Sequence, residues 1–460
     1  MNETKTSREI GEKKPIKGSM VQGNPTKCLL AFAVPLIAGN LFQQLYNIVD
    51  SIIVGKVVGA GALASVGASA AITMLFVMVA LGTGIGCSVV ISQLFGAKKI
   101  EEMKTAISTA LISILIFSLL LSVIGRVFST AILQVLKTPE DIFEGAALYL
   151  NIYFYGFFFL FMYNAFSAIF NALGDSMKPL MFLIFSSFLN IGLDLLFVKV
   201  FSWGIAGAAW ATLISQAVSA VLSFGVLAYK LKHIPSKSYP LYDVTLFRSM
   251  TRVALPTIIQ QSMVSVGSLL IQAAVNRFGS TFLAGYTAAI RIDGIAIVPM
   301  VNTGNAVSTF VAQNMGAKRA DRAKQGYHIG LVMAMSIGAF IGIMMHFYGD
   351  SFVGLFMNAE TDMAAIAIGA EYISIVSMFY FVMGAMNVSG AVLRGAGDMK
   401  WFMSATLVNL SSRVILTYLF ADATAGMIIM WANPIGWAIG FAISFTRYRQ
   451  GGWKKITLIR

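Results

Sequence analysis

The segment Phe95-Gly96-Ala97-Lys98-Lys99 returns 220 residues later as Met315-Gly316-Ala317-Lys318-Arg319. Val34-Pro35 and Leu255-Pro256 repeat at an offset of 221, and Gly174-Asp175 and Gly397-Asp398 at 223. Three nearly equal offsets in the same order mark an internal duplication. What is duplicated follows from composition. The 460 residues are 57% hydrophobic and 12% charged, about half the roughly 25% charge of a soluble domain. Mean hydropathy is +0.78, and the 34 Phe are spread along the whole chain, which excludes a soluble globular enzyme. Twelve apolar runs, from 29–54 to 424–446, each reach the ~20 residues of a membrane-spanning helix. The alternating ~10-residue pattern of a membrane barrel is absent, so all twelve are read as helices.

The fold class expected is therefore all-α and polytopic, with about twelve transmembrane helices. Each repeat carries six spans, an even number, so the two six-helix bundles run parallel and are related by a pseudo-two-fold axis along the membrane normal. The expected division is an N-terminal tail over 1–28, a first bundle over 29–229, a linker over 230–249, a second bundle over 250–446 and a tail over 447–460. Lys and Arg fall 26 on the side of the termini and 5 on the other, Lys56, Arg126, Lys137, Lys199 and Arg277. By the positive-inside rule both termini are cytoplasmic. The cations lie in the gaps between apolar runs, a topological pattern that argues against nucleic acid as a partner. Residues 1–28 lack the apolar core of a cleavable signal, and Cys28 and Cys87 are too isolated for disulfide or thiol chemistry.

Asp50 interrupts an apolar run at a cost of at least ~2.5 kcal/mol near the bilayer centre, which makes it functional by default. Gln43, Tyr46, Asn47 and Asp50, at i, i+3, i+4 and i+7, share one helical stripe that is expected to face inward. Asn190 and Asp194 lie one turn apart on the fifth span, and Thr212 enters the sixth from outside. The rise of 1.5 Å per residue puts Asp50 about 30 Å and Asp194 about 21 Å from the cytoplasmic ends of their spans, both in the outer half. Two carboxylates with an amide and a hydroxyl make an oxygen-rich Na⁺ site. Equally, two adjacent carboxylates in low dielectric cannot both stay ionised, so the same group takes a proton. Gln260, Gln261 and Asp293 join Gln43, Tyr46 and Asn47 as candidates to line a substrate cavity. Arg291 and Asp293 point about 200° apart on their helix and do not pair. Gly82-Thr83-Gly84-Ile85-Gly86 lies inside a span, lacks the Lys-Ser/Thr of a phosphate loop, and reads as close helix packing.

The repeats, with LFQQLYNIVDSIIVG at 41–55 and NALGDSMKP at 171–179, resemble the multidrug and toxic compound extrusion (MATE) family of cation-coupled antiporters over essentially all twelve spans. Within it the chain resembles the DinF-like branch, which places a functional aspartate in the first span, an Asn-xxx-Asp pair in the fifth and a threonine in the sixth. The matching positions are Asp50, Asn190, Asp194 and Thr212. The NorM-like branch is known for acids in the seventh and tenth spans, where this chain has Gln260 and Gln261 and no interior carboxylate. The resemblance implies a monomeric inner-membrane antiporter of a bacterium, without cofactor. It exports small organic, lipophilic cations in exchange for H⁺ or Na⁺. Relatives of the fold also flip lipid-linked saccharides or other lipid precursors, the competing implication; a pyrophosphate-linked substrate calls for a strongly basic cavity, and only Arg291 and Arg413 lie within the spans. An intramembrane enzyme is excluded by the absence of a nucleophile–base pair or metal-ligand spacing around His233, His328 and His346.

Overall fold

In the computed structural model the described residues, 18–355, 357, 362–456, 458 and 459, are helices joined by short turns, with no β-strand among them. The first repeat comprises α1 (Pro25–Ile53), α2 (Ala60–Gly96), α3 (Ile100–Val135), α4 (Glu140–Ala172), α5 (Met177–Asp194) and α6 (Gly204–Lys232). The second comprises α7 (Val244–Val275), α8 (Gly279–Ala296), α9 (Val298–Gly316), α10 (Ala320–Gly354), α11 (Met363–Ser377), α12 (Tyr380–Ala396), α13 (Met399–Phe420) and α14 (Met427–Gln450). Most of the expected N-terminal tail lies outside the described residues. Helices α6 and α7 run further than their apolar runs, leaving only 233–243 as non-helical link.

By length and apolarity nine helical stretches qualify as spans, ten when α11 and α12 are joined across their 52° bend. One of the nine, Val244–Gly316, goes out and comes back: Ala254 of α7 and Gln313 of α9 both pack on the C-terminal half of α2, at Gly86 and Gly96. With α13, whose Lys400, Asn409 and Arg413 dilute its apolar surface, the passes number twelve.

Two of them are not the continuous helices expected from hydropathy. The eighth breaks at Ile297, where Pro299 opens α9 near its first turn; proline has no N–H to continue the ladder and its ring excludes the preceding carbonyl. The tenth bends between Ser377 and Tyr380, whose carbonyls rest on Gly338 and Gly342 of α10. Side chains on that face of α10 would keep the exposed carbonyls out.

Val34-Pro35 and Leu255-Pro256 lie within α1 and α7; the other two repeated motifs are helix ends. Lys98 and Lys318 close α2 and α9 in the left-handed region, at φ 57° and 58°. The next amides fold back, Lys99 N to Leu94 O at 3.1 Å and Arg319 N to Asn314 O at 2.8 Å, satisfying carbonyls the helices leave free. The Gly-Asp pairs serve likewise. Asp175 receives Lys230 from the last turn of α6 at 2.8 Å, and Asp398 receives Arg447 from the last turn of α14 at 2.7 Å.

The two lobes meet along α1, α2, α7 and α9. Gly96 lies against the Gln313 backbone and Gly316 against the Gln93 backbone, so neither position has room for a side chain. Gln93 Nε2 crosses to Gly395 O at 3.1 Å, and Gln313 Nε2 crosses to Ala172 O at 2.9 Å. These reciprocal bonds place the pseudo-two-fold axis between the ends of α2 and α9. Residues 18–24 strap the same face: Met20 N donates to Gln313 Oε1 at 2.8 Å, and Arg322 donates to the carbonyls of Met20, Gln22 and Gly23. Trp453, fully buried, docks the C-terminal segment there too. This is the terminal face of the molecule.

Candidate cation-coupling site in the N-terminal lobe

Both intramembrane aspartates of the first lobe sit where a regular helix gives way to a wider one. Asp50 lies in the last turn of α1, which continues as a π-helical turn over Val54–Val58, and Asp194 ends α5 ahead of a π-helical turn over Leu195–Val200. Such turns are rare and cluster at functional sites, because the i→i+5 ladder rotates the side chains around it. Val54, Ala62, Val198 and Ala208 pack together across the two turns.

Asn190 organises the polar groups. With its amide oriented as its neighbours require, Nδ2 donates to Tyr46 Oη at 3.0 Å and to Asp194 Oδ2 at 2.9 Å, and the amide oxygen accepts from Thr212 N at 3.1 Å. Asn190 and Asp194 are 1% and 0% exposed, so water does not take over these bonds. The Asp50 and Asp194 carboxyls lie within electrostatic reach of each other, and two adjacent carboxylates in low dielectric do not both stay ionised. Oδ1 of each is buried with no hydrogen-bond partner among the described residues. A buried acceptor without a donor costs on the order of 1–3 kcal/mol, more when charged. A proton shared by the pair, or a cation ligated by the two Oδ1 atoms, removes that cost.

The structure thus brings Asp50, Asn190, Asp194, Thr212 and Tyr46 into one constellation. It adds Tyr149 of α4, whose ring lies within electrostatic reach of both carboxyls and stacks on Tyr153 with centroids 6.3 Å apart. Nothing in the sequence singles out Tyr149, since a tyrosine in an aromatic-rich helix is ordinary.

The stripe Gln43, Tyr46, Asn47, Asp50 does not face inward as a unit. Gln43 and Asn47 are exposed, while Tyr46 and Asp50 turn into the lobe. The i and i+4 pairs are offset by about 60° around the helix, enough to put one pair on each side of the contact edge. Gln260 is half-buried, and Gln261 Nε2 lies 3.6 Å from Met78 Sδ across the lobes. Asp293 is in the other lobe, 8% exposed, accepting the Tyr380 hydroxyl at 2.8 Å; Arg291 on the same helix is exposed. The glycine run packs as expected, Gly82 on Ile258 and Gly86 on Ala254 of α7.

The sequence profile of the MatE family matches residues 35–196 and 256–419, one stretch in each lobe. The chain belongs to the MatE family. Both MatE segments begin at a repeated proline, Pro35 and Pro256, so the family pattern and the internal duplication coincide. The chain is similar to the probable multidrug resistance protein YpnP of Bacillus subtilis (strain 168), 30% identical over 446 residues that cover 95% of this chain and 98% of the relative. It is also similar to YoeA, a probable multidrug resistance protein of the same organism, 29% identical over 93% and 94% of the two chains. Among solved structures, a MOP superfamily transporter from Pyrococcus furiosus Vc1 (DSM3638) superposes with a TM-score of 0.89 at 22% identity, over 96% of this chain and 100% of that one. An outward-facing multidrug resistance MATE transporter of that superfamily superposes at 0.87 and 22%, with the same coverage. At such identities the structures speak for the fold. This MatE protein is a multi-pass membrane protein of a transporter family rather than an enzyme family.

Proposed function

We propose that this MatE protein is a secondary active antiporter of a bacterial inner membrane, exporting organic cations in exchange for H⁺ or Na⁺, with its terminal face in the cytoplasm. The observation that carries this reading is the pair of neighbouring carboxyls, Asp50 and Asp194, each with a buried Oδ1 that has no hydrogen-bond partner among the described residues. Resemblance to the DinF-like branch and the names of the relatives, probable multidrug resistance proteins, support export of drugs.

The chemistry follows from the geometry. Asp50, Asp194, the Asn190 amide and Thr212 form the coupling site, held on α1, α5 and α6. The six-helix units at 29–229 and 250–446 rock about the reciprocal Gln93 and Gln313 contacts. When the pair binds its ion the lobe loses net charge, so the loaded and empty protein differ in which access state they favour. Ion entry supplies ~2.3 kcal/mol per charge per 100 mV and about 1.4 kcal/mol per proton per pH unit. The lipophilic substrate passes between the lobes, past Gln43, Asn47 and Gln261, and the protein works as a monomer.

Purified protein in liposomes loaded with a fluorescent cationic dye tests the reading. A pH gradient or a Na⁺ gradient, imposed in turn, is expected to drive dye movement. Dye movement indifferent to both gradients overturns it. Tags at Met1, within 233–243 and at Arg460 are all expected on the cytoplasmic side, and any one reached from outside reverses the orientation.

A further inference from the structure

The terminal face carries a cavity of about 730 Å³ in the seam between the lobes, bordered by the strap and the C-terminal segment. Five cationic side chains line it: Lys98 and Lys99 from the first lobe, Lys318 and Arg319 from the second, and Lys454 from the C-terminal segment; no acidic residue does among the described residues. Of the acids nearby, Glu102 pairs with one of the five, Lys99, at 2.9 Å, while Asp321 pairs with Lys324 at 3.5 Å and Glu101 accepts the Lys237 amide at 3.2 Å. Arg319 donates only to a carbonyl, that of Val21, and Lys98, Lys318 and Lys454 have no salt bridge among the described residues. Lys454 lies against Lys324, which pushes its ammonium below the ordinary lysine range. The positive-inside rule accounts for cations on this face; it does not account for their convergence from both lobes on one cavity, where mutual repulsion opposes closure of the seam. Helices α3 and α10 also begin here, at Ile100 and Ala320, with no side chain capping either N-terminus. Their first-turn amides add anion-directed donors, offset in part by Glu101, Glu102 and Asp321 in the same turns.

We infer that this cavity is an anion site for a phosphate group, carried by an anionic lipid headgroup or by a soluble phosphate compound, which bridges the two lobes and holds the terminal side closed. Basic pockets at the level of the headgroups recognise phosphate in this way, and the Arg319 fork matches a phosphate's oxygens. The site lies outside the spans and does not depend on which ion drives transport.

The test uses the full-length protein and its thermal unfolding midpoint. In detergent micelles, inorganic pyrophosphate is titrated at constant ionic strength. In parallel, nanodiscs of phosphatidylcholine are compared with nanodiscs containing phosphatidylglycerol. A saturable rise with pyrophosphate assigns a soluble ligand; a rise confined to phosphatidylglycerol assigns a headgroup. The Lys98→Asn/Lys318→Asn double variant is expected to weaken either effect about tenfold or more, since it removes one charged donor from each lobe's side of the site. Asparagine tolerates the left-handed conformation of both positions. Lys137→Asn is the matched control, a left-handed lysine at φ 52° on the opposite face, and is expected to keep the full effect. Lys454→Gln, on the exposed C-terminal segment, repeats the test away from the helix ends. No rise with either probe, or an equal rise in the double variant, overturns the inference.

Discussion

The two lobes of this MatE protein share a topology and treat a buried carboxylate in opposite ways. In the second lobe Asp293 accepts a hydrogen bond from the Tyr380 hydroxyl, within a cluster of Tyr286, Tyr372 and Asn433 that bonds internally, Asn433 Nδ2 to Tyr372 Oη at 2.7 Å. In the first lobe Asp50 and Asp194 lie within electrostatic reach of each other and leave two acceptor oxygens without donors among the described residues. A satisfied buried carboxylate holds helices together; an under-satisfied pair has reason to bind and release an ion. Duplication supplied the scaffold twice, and the polar residues placed on it differ between the halves.

The sharpest break in this comparison is Asp50→Asn. A neutral amide is cheaper than a carboxylate in the membrane, so the protein is expected at normal abundance. Without a group that gains and loses charge, exchange falls to the rate of empty liposomes, and Asp194→Asn behaves alike or alters the pH profile. Wild-type rate and pH profile in Asp50→Asn would place the coupling elsewhere, with Asp293 the next residue to remove.

Asn190→Ala comes next. It takes away the donor to Asp194 and to Tyr46, and a hydrogen bond to a charged group contributes ~1.5–3 kcal/mol. The ion concentration giving half-maximal exchange is expected to rise about tenfold or more; an unchanged value means the amide only ties α5 to α6.

Tyr380→Phe probes the other lobe. Asp293 is left buried without its donor, at a cost of about 1–3 kcal/mol, read as a lower unfolding midpoint with ion dependence intact. Loss of ion dependence at normal stability would make the lobes equal partners. The smallest effect is expected from Gln261→Ala, whose amide reaches only the Met78 sulfur across the lobes. Efflux of some dyes should weaken by a fewfold and of others not at all, and total loss of ion coupling would move the site to the seam.

How much of this was legible depended on the cost of each residue in lipid. Asp50, Asn190 and Asp194 stand out because a carboxylate or amide inside an apolar run is expensive and seldom placed there without use. Pro299 did not announce the break in the eighth pass, since Pro35, Pro256 and Pro434 lie inside unbroken helices. The bend between α11 and α12 has no such mark, for its cause lies on α10, in Gly338 and Gly342. Tyr149 was invisible for a related reason: its side chain costs little wherever it points.

The sequence by itself determined the twelve passes, their parallel duplication and the short list of intramembrane polar residues, because apolar length and the spacing of repeats are one-dimensional properties. Only the tertiary structure decided that Tyr46 and Asp50 turn into the lobe while Gln43 and Asn47 do not, that Gln93 and Gln313 cross the seam reciprocally, and that five cations from three separate segments surround one cavity. The direction in which a side chain points, and what it meets there, is set by neighbouring helices that are hundreds of residues away in the chain.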